Sequence, residues 1–180
     1  FELNAARASD EAHPSYKGAV AVKGARFEPP FLESTVERLD AAASFDGKTG
    51  RLHIDRMDVG RSDLSGTIDI IDIAGRKVRF DLASTHLESS DLIPKERMSS
   101  MARGRSKPPV TGSGSVAIAE GVAWGHSFKG LEASIEMEKN HVYLRPLSME
   151  VDGGRLDTAI TYHRDEEDPI LFEAAAEASS

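Results

Sequence analysis

Histidines and carboxylates are the side chains in this sequence that could hold a metal or move protons. The six histidines are His13, His53, His86, His126, His141 and His163, scattered without ligand spacing. The nearest approach to a cluster is His53-x-Asp55 with Asp58. His53 and Asp55 share one face of an extended strand, but Asp58 falls beyond a break in the alternation. A metal centre needs several convergent ligands. A solvated polar face is the better reading, and no metal is expected. There is no cysteine, which removes disulfides, thiolate ligands and a Cys nucleophile.

Serines lie near acids in several places, yet no G-x-S-x-G elbow exists. Gly112-Ser113-Gly114-Ser115 is glycine-rich but leads into a strand. A phosphate cradle needs a helix N-terminus after it, so this stretch reads as a flexible loop. Glu132, Glu136 and Glu138 form an acidic strand face, and paired catalytic carboxylates need a pocket that nothing here supplies. No catalytic residue, no cofactor and no enzymatic activity are expected.

Charge narrows the partners. The formal net charge is −8, which argues against nucleic acid as a partner. Against that background Lys95, Arg97, Arg103, Arg105 and Lys107 form a basic tract interrupted by Glu96 alone among the acids. It could touch anionic headgroups or an acidic partner; a solvated loop is the competing reading. Hydrophobic residues make up 39%, enough for one core and too many for wholesale disorder. No run approaches the ~18 apolar residues of a spanning helix. The chain opens on Phe1 and reads as a segment of a longer protein, with any leader, anchor or flanking domain expected outside it.

The elements that would position these residues recur. GAVAVKGARF (Gly18 to Phe27) resembles GSVAIAEGVAW (Gly114 to Trp124). RLDAAASFD (Arg38 to Asp46) resembles GLEASIEME (Gly130 to Glu138), and RLHIDRMDV (Arg51 to Val59) resembles HVYLRPLSM (His141 to Met149). DLSGTIDI (Asp63 to Ile70) resembles RLDTAITY (Arg155 to Tyr162). FDLAST (Phe80 to Thr85) resembles both FEAAAE (Phe172 to Glu177) and FELNAA (Phe1 to Ala6). The order is kept, at an offset of about ninety residues, which marks tandem units. Residues 1–17 read as the last strand of a preceding repeat with its linker. Residues 18–92 form repeat unit 1, 93–111 a basic flexible loop, and 112–180 repeat unit 2.

Each block alternates with period two, the signature of a strand with one apolar face. Leu131, Ala133, Ile135 and Met137 alternate with Glu132, Ser134, Glu136 and Glu138. Val78, Phe80 and Leu82 alternate with Lys77, Arg79 and Asp81. One block changes phase in both units: Leu52 and Ile54 give way to Met57 and Val59, and Val142 and Leu144 to Leu147, Met149 and Val151. Such a change requires a bulge, and Pro146 sits at that point. Turn signals at Asp46-Gly47, Lys139-Asn140 and Asp152-Gly153-Gly154 make the connections short and the pairing antiparallel. The exception is His86 to Thr111, where a short helix is expected within 88–100. Trp124 and Phe27 occupy matched places near the ends of first strands and are expected to pack there as anchors, with lipid contact as the lesser option.

The predicted fold is all-β. Tandem repeats of about five antiparallel strands form a long, strongly curved sheet with an apolar concave face, as a groove or partly open barrel. The stretch GSGSVAIAEGVAWGHSFKGLEASIEMEKNHVYLRPLSMEVDGGRLDTAITYH, from Gly112 to His163, together with the looser Gly18 to Leu92, resembles the AsmA-like family of bacterial envelope proteins (the AsmA and TamB type). It is also similar to the repeating β-groove of bridge-like lipid transfer proteins, with five strands and a crossing loop per repeat. The resemblance implies a periplasmic segment of a protein anchored in the inner membrane. Its groove would shield acyl chains and support phospholipid transport between inner and outer membranes in outer-membrane biogenesis. The implied partners are a phospholipid or other acyl lipid, the membrane through other parts of the parent chain, and an envelope protein. The residues expected to line the groove are Val78, Phe80, Leu82, Val116, Ile118, Leu131, Ile135, Met137, Leu144 and Ile160, with the basic tract as headgroup contact. Exposing acyl tails to water costs about 0.8 kcal/mol per CH₂, so a continuous apolar surface lowers the barrier without any catalytic group. The alternative is a non-enzymatic envelope scaffold with a closed β core, binding protein partners through edge strands.

Overall fold

A computed structural model describes residues 2–6, 15–30, 32–92, 109–163 and 170–173, with 2–6, 15–16 and 170–173 as backbone. Among the described residues, every repeat block falls on a strand. In chain order they are β1 (Glu2–Ala6), β2 (Ser15–Phe27), β3 (Val36–Asp46), β4 (Thr49–Val59), β5 (Ser62–Asp72), β6 (Lys77–Glu88), β7 (Thr111–Ala123), β8 (His126–Met137), β9 (His141–Val151), β10 (Gly154–His163) and β11 (Ile170–Glu173). All belong to one sheet whose spatial order equals the sequence order. Nine long strands, β2 to β10, carry a short strand at each edge. The sheet does not close into a barrel: β1 and β11 remain its edges.

Short connections make consecutive strands antiparallel, as in the hairpin turn at Gly47 (φ 60). The long connection after β6 does the opposite. It returns the chain to the end where β6 began, so β6 and β7 pair in parallel from Lys77↔Thr111 to Glu88↔Val122. A parallel neighbour requires a crossover of this kind, and it makes the junction between the two units. The equivalent junction before unit 1 has a shorter link, and there β1 pairs antiparallel with β2. The two junctions are therefore not copies of each other. A single 3-10 turn at Ser89–Leu92 is the helical element of the described residues; the rest of the predicted helix, from 93 on, lies outside them.

The phase changes are bulges. Pairing of β4 with β5 shifts between Ile54 and Met57, so both side chains end on the same face. In β9 the shift falls between Leu144 and Leu147, around the cis Arg145-Pro146 peptide. Without these shifts the second half of each strand would present its apolar set to the wrong face.

Gly112-Ser113-Gly114-Ser115, expected as a loop, is the first part of β7. Small residues are needed there because β6 lies so close. A Cβ on Gly114 would sit 2.2 Å from the Phe80 carbonyl oxygen and 2.5 Å from the Phe80 ring. The glycines permit the seam rather than loosening the chain.

Strands touch their sheet neighbours, and the 3-10 turn packs on β6 and β7. Among the described residues no second layer covers either face.

Candidate functional site

Directly paired residues in a sheet share a face, so the registers trace what each face presents. One row runs Val20, Ala43, Leu52, Ile68, Phe80, Gly114, Ile135, Leu144 and Ile160 across β2 to β10. The next runs Val22, Ala41, Ile54, Gly66, Leu82, Val116, Ala133, Leu147 and Thr158. On the other side lie Gly18, Phe45, Gly50, Ile70, Val78, Gly112, Met137, Val142 and Tyr162. No charged residue interrupts these rows. At about 4.8 Å per strand they extend about 38 Å.

All ten residues expected to line a groove fall on this face. Val78, Phe80, Leu82, Val116, Ile135, Met137, Leu144 and Ile160 lie in the rows, and Ile118 pairs with Leu131 beside them. The face runs through the parallel seam unbroken, with Leu82 opposite Val116. Ile54, Ala41, Ala133, Leu147 and Ile118 are buried on it. They pair with, or lie beside, apolar neighbours on the adjacent strands. From unit 1 the sequence reading named only Val78, Phe80 and Leu82; Val20, Ala43, Leu52 and Ile68 carry the surface across the rest of that unit, and their alternation was available as a signal.

The opposite face is polar and carries ion pairs. Within an Arg-x-Asp motif, Arg38 bridges to Asp40, Arg56 to Asp58 and Arg155 to Asp157, with Nε to carboxylate distances of 2.8, 2.9 and 2.7 Å. Arg38 stands opposite Asp58, and Asp40 opposite Arg56, so charges alternate around a square. The Gly24 amide and the Arg38 guanidinium hold the Asp40 carboxyl below the usual range. Arg51 does the same for Asp69 at 2.6 Å, and Arg155 for Asp157. Open depressions of this face measure about 1370 Å³, lined by Ala19, Ala21, Ala42 and Arg51 among others, and about 550 Å³, lined by Arg79, Asp81, Ser113 and Ser134 among others. A twisted sheet is a saddle, hollow along one diagonal on each face, so the polar face has its own hollows.

The other singled-out residues do not converge. His53 lies 3.3 Å from Asp55, while Asp58 is taken by Arg56. Among the described residues no group of three potential metal ligands comes together. Glu136 meets Arg145 at 3.5 Å, and Glu132 and Glu138 point to solvent. Lys95, Arg97, Arg103, Arg105 and Lys107 lie outside the described residues. Trp124 and Phe27 do not pack as anchors: they are 91% and 43% exposed.

Two carboxylates that the sequence reading passed over brace the strand ends. Asp63 accepts hydrogen bonds from the Ser84 hydroxyl, the Thr85 amide and hydroxyl, and the His86 amide at 2.8–3.1 Å. Desolvation pushes its pKa up, but these bonds outweigh that and leave it lowered. Asp91 is buried in the 3-10 turn and accepts from the Ser62 hydroxyl (2.9 Å) and the Arg61 amide (2.8 Å).

Comparison of the chain with protein-family models, with curated proteins and with solved structures finds no match in any of them.

Proposed function

We propose that this chain is a lipid-shielding segment of an AsmA-like envelope protein, holding acyl chains on the apolar face of its sheet. On this reading it works in the periplasm, as part of a protein anchored in the inner membrane, on phospholipid moving between the two membranes. The observation that supports it is the set of three uncharged rows crossing nine strands and the parallel seam, with no second layer over them among the described residues. A monomeric soluble protein rarely leaves so much contiguous apolar surface to water. Acyl chains along the rows would replace that water, and headgroups would stay outside. Repeats added side by side lengthen such a path as they lengthen a solenoid.

The test is extraction of the purified chain followed by mass spectrometry of bound lipid, together with transfer of a fluorescent phospholipid between vesicles. Bound phospholipid and transfer that both disappear in Phe80→Glu/Ile135→Glu support the reading. A wild-type chain with no bound lipid and no transfer overturns it.

A further inference from the structure

The tip between β7 and β8 is two residues, Trp124 and Gly125, with φ of 50° and 86°. The tip between β9 and β10 is Asp152 and Gly153, with φ of 48° and 85°. The two turns share one conformation and are neighbours: the Asp152 amide donates to the Ser127 carbonyl at 3.2 Å, and His126 meets the Asp152 carboxylate at 2.8 Å. This hairpin turn favours Asn-Gly or Asp-Gly, because its first residue must take a left-handed backbone. Bulky side chains disfavour that conformation. Trp124 therefore sits where the backbone prefers a residue such as Asp152.

It gains little packing in return. The indole is 91% exposed; its backbone amide donates to Ser89 Oγ at 3.4 Å. Strained backbone and lost burial both count against Trp at this position, and neither is repaid within the fold. Such an outlier points to a function.

The repeat supplies a second observation. Phe27 ends β2 as Trp124 follows β7, at matched places in the two units. Strands β2, β6 and β7 run in the same direction, so both aromatics stand on one rim. Phe27 is 43% exposed, and Leu92 on the same rim is 45% exposed. Five strand spacings separate the aromatics, about 24 Å.

We propose that this rim, led by the Trp124-Gly125 tip with Phe27 as its counterpart, contacts the interfacial region of a phospholipid bilayer. A protein partner would need a patch of about 800 Å², and a lone ring on a two-residue turn is no such patch. A bilayer interface takes up a single protruding indole, because the ring has an apolar body and a polar N–H suited to the headgroup level. The inference goes beyond lipid shielding and does not require it.

Trp124 is the sole tryptophan of the chain, so its emission reads this tip alone. The full chain is titrated with phosphatidylcholine vesicles, plain or carrying nitroxide labels near the headgroup or deep in the acyl region. The expected result is a blue shift, with the shallow label quenching more than the deep one. Trp124→Asn restores a favoured turn residue, so it should unfold at higher urea concentration while co-floating with vesicles severalfold less. Ile135→Glu, which removes acyl shielding, should keep the blue shift, so that failure of the shielding reading and failure of this one are separable. Emission unchanged by vesicles, the outcome for a tip that docks a protein, overturns the proposal. So does undiminished flotation of Trp124→Asn, or loss of the shift in folded Ile135→Glu, which would mean that the indole senses lipid held on the apolar face.

Discussion

Leu82 stands directly opposite Val116 across the parallel seam between β6 and β7. The two stretches that resemble each other in sequence meet at this pair, and the apolar surface continues through it. Any path for acyl chains that is longer than one unit must cross here.

Leu82→Glu is therefore expected to cut bound lipid and vesicle-to-vesicle transfer, by placing a carboxylate in the middle of the rows. Removing Leu82 from apolar surroundings should lower stability by about 1–3 kcal/mol, with the β-sheet circular dichroism retained. Asp81 lies on the polar face and accepts from Ser115 at 2.7 Å. Asp81→Ala should leave lipid occupancy unchanged. Equal lipid in both variants would detach the apolar rows from lipid binding.

Gly114→Ala tests the closeness of the seam. Its Cβ would lie 2.2 Å from the Phe80 carbonyl oxygen, and the backbone cannot yield as a side chain can. Overpacking of this kind costs about 1–3 kcal/mol, read as a lower urea midpoint. Adding Phe80→Leu frees the ring contact only, so most of the loss should persist in the double variant.

Asp91→Ala leaves the Ser62 hydroxyl without its carboxylate and the Arg61 amide without its acceptor. The expected loss is about 1–3 kcal/mol, with faster hydrogen exchange at Arg61. Asp91→Asn keeps one acceptor oxygen and should lose less.

Stability should fall in acid partly through Asp63. Its folded pKa lies below the ordinary carboxylate value of about 3.9. The stabilisation it provides is then complete above that value and is lost as pH falls through the lower, folded pKa. Asp63→Asn should flatten this part of the curve of stability against pH. An unchanged acid limb would show that Asp63 is not responsible.

Much of the fold was legible because its signals are local. Alternation in Leu131, Ala133, Ile135 and Met137 identifies a one-faced strand wherever it stands in the chain. The change of phase at Ile54 and Met57 required a bulge before any partner strand was known. Gly112 to Ser115 misled, because glycine is the usual mark of a loop and here it answers the approach of Val78 and Phe80 from another strand. Trp124 misled for a similar reason. An aromatic at a strand end is usually buried, and only the turn conformation places this one in water.

The sequence by itself determined most of the strands and their faces, since period-two alternation is a property of the chain alone. The tertiary structure decided which residues stand opposite each other, the parallel seam at Leu82 and Val116, the roles of Asp63 and Asp91, and the exposure of Trp124. Those depend on pairing between segments far apart in sequence, where register and close approach are set by the whole sheet rather than by any one strand.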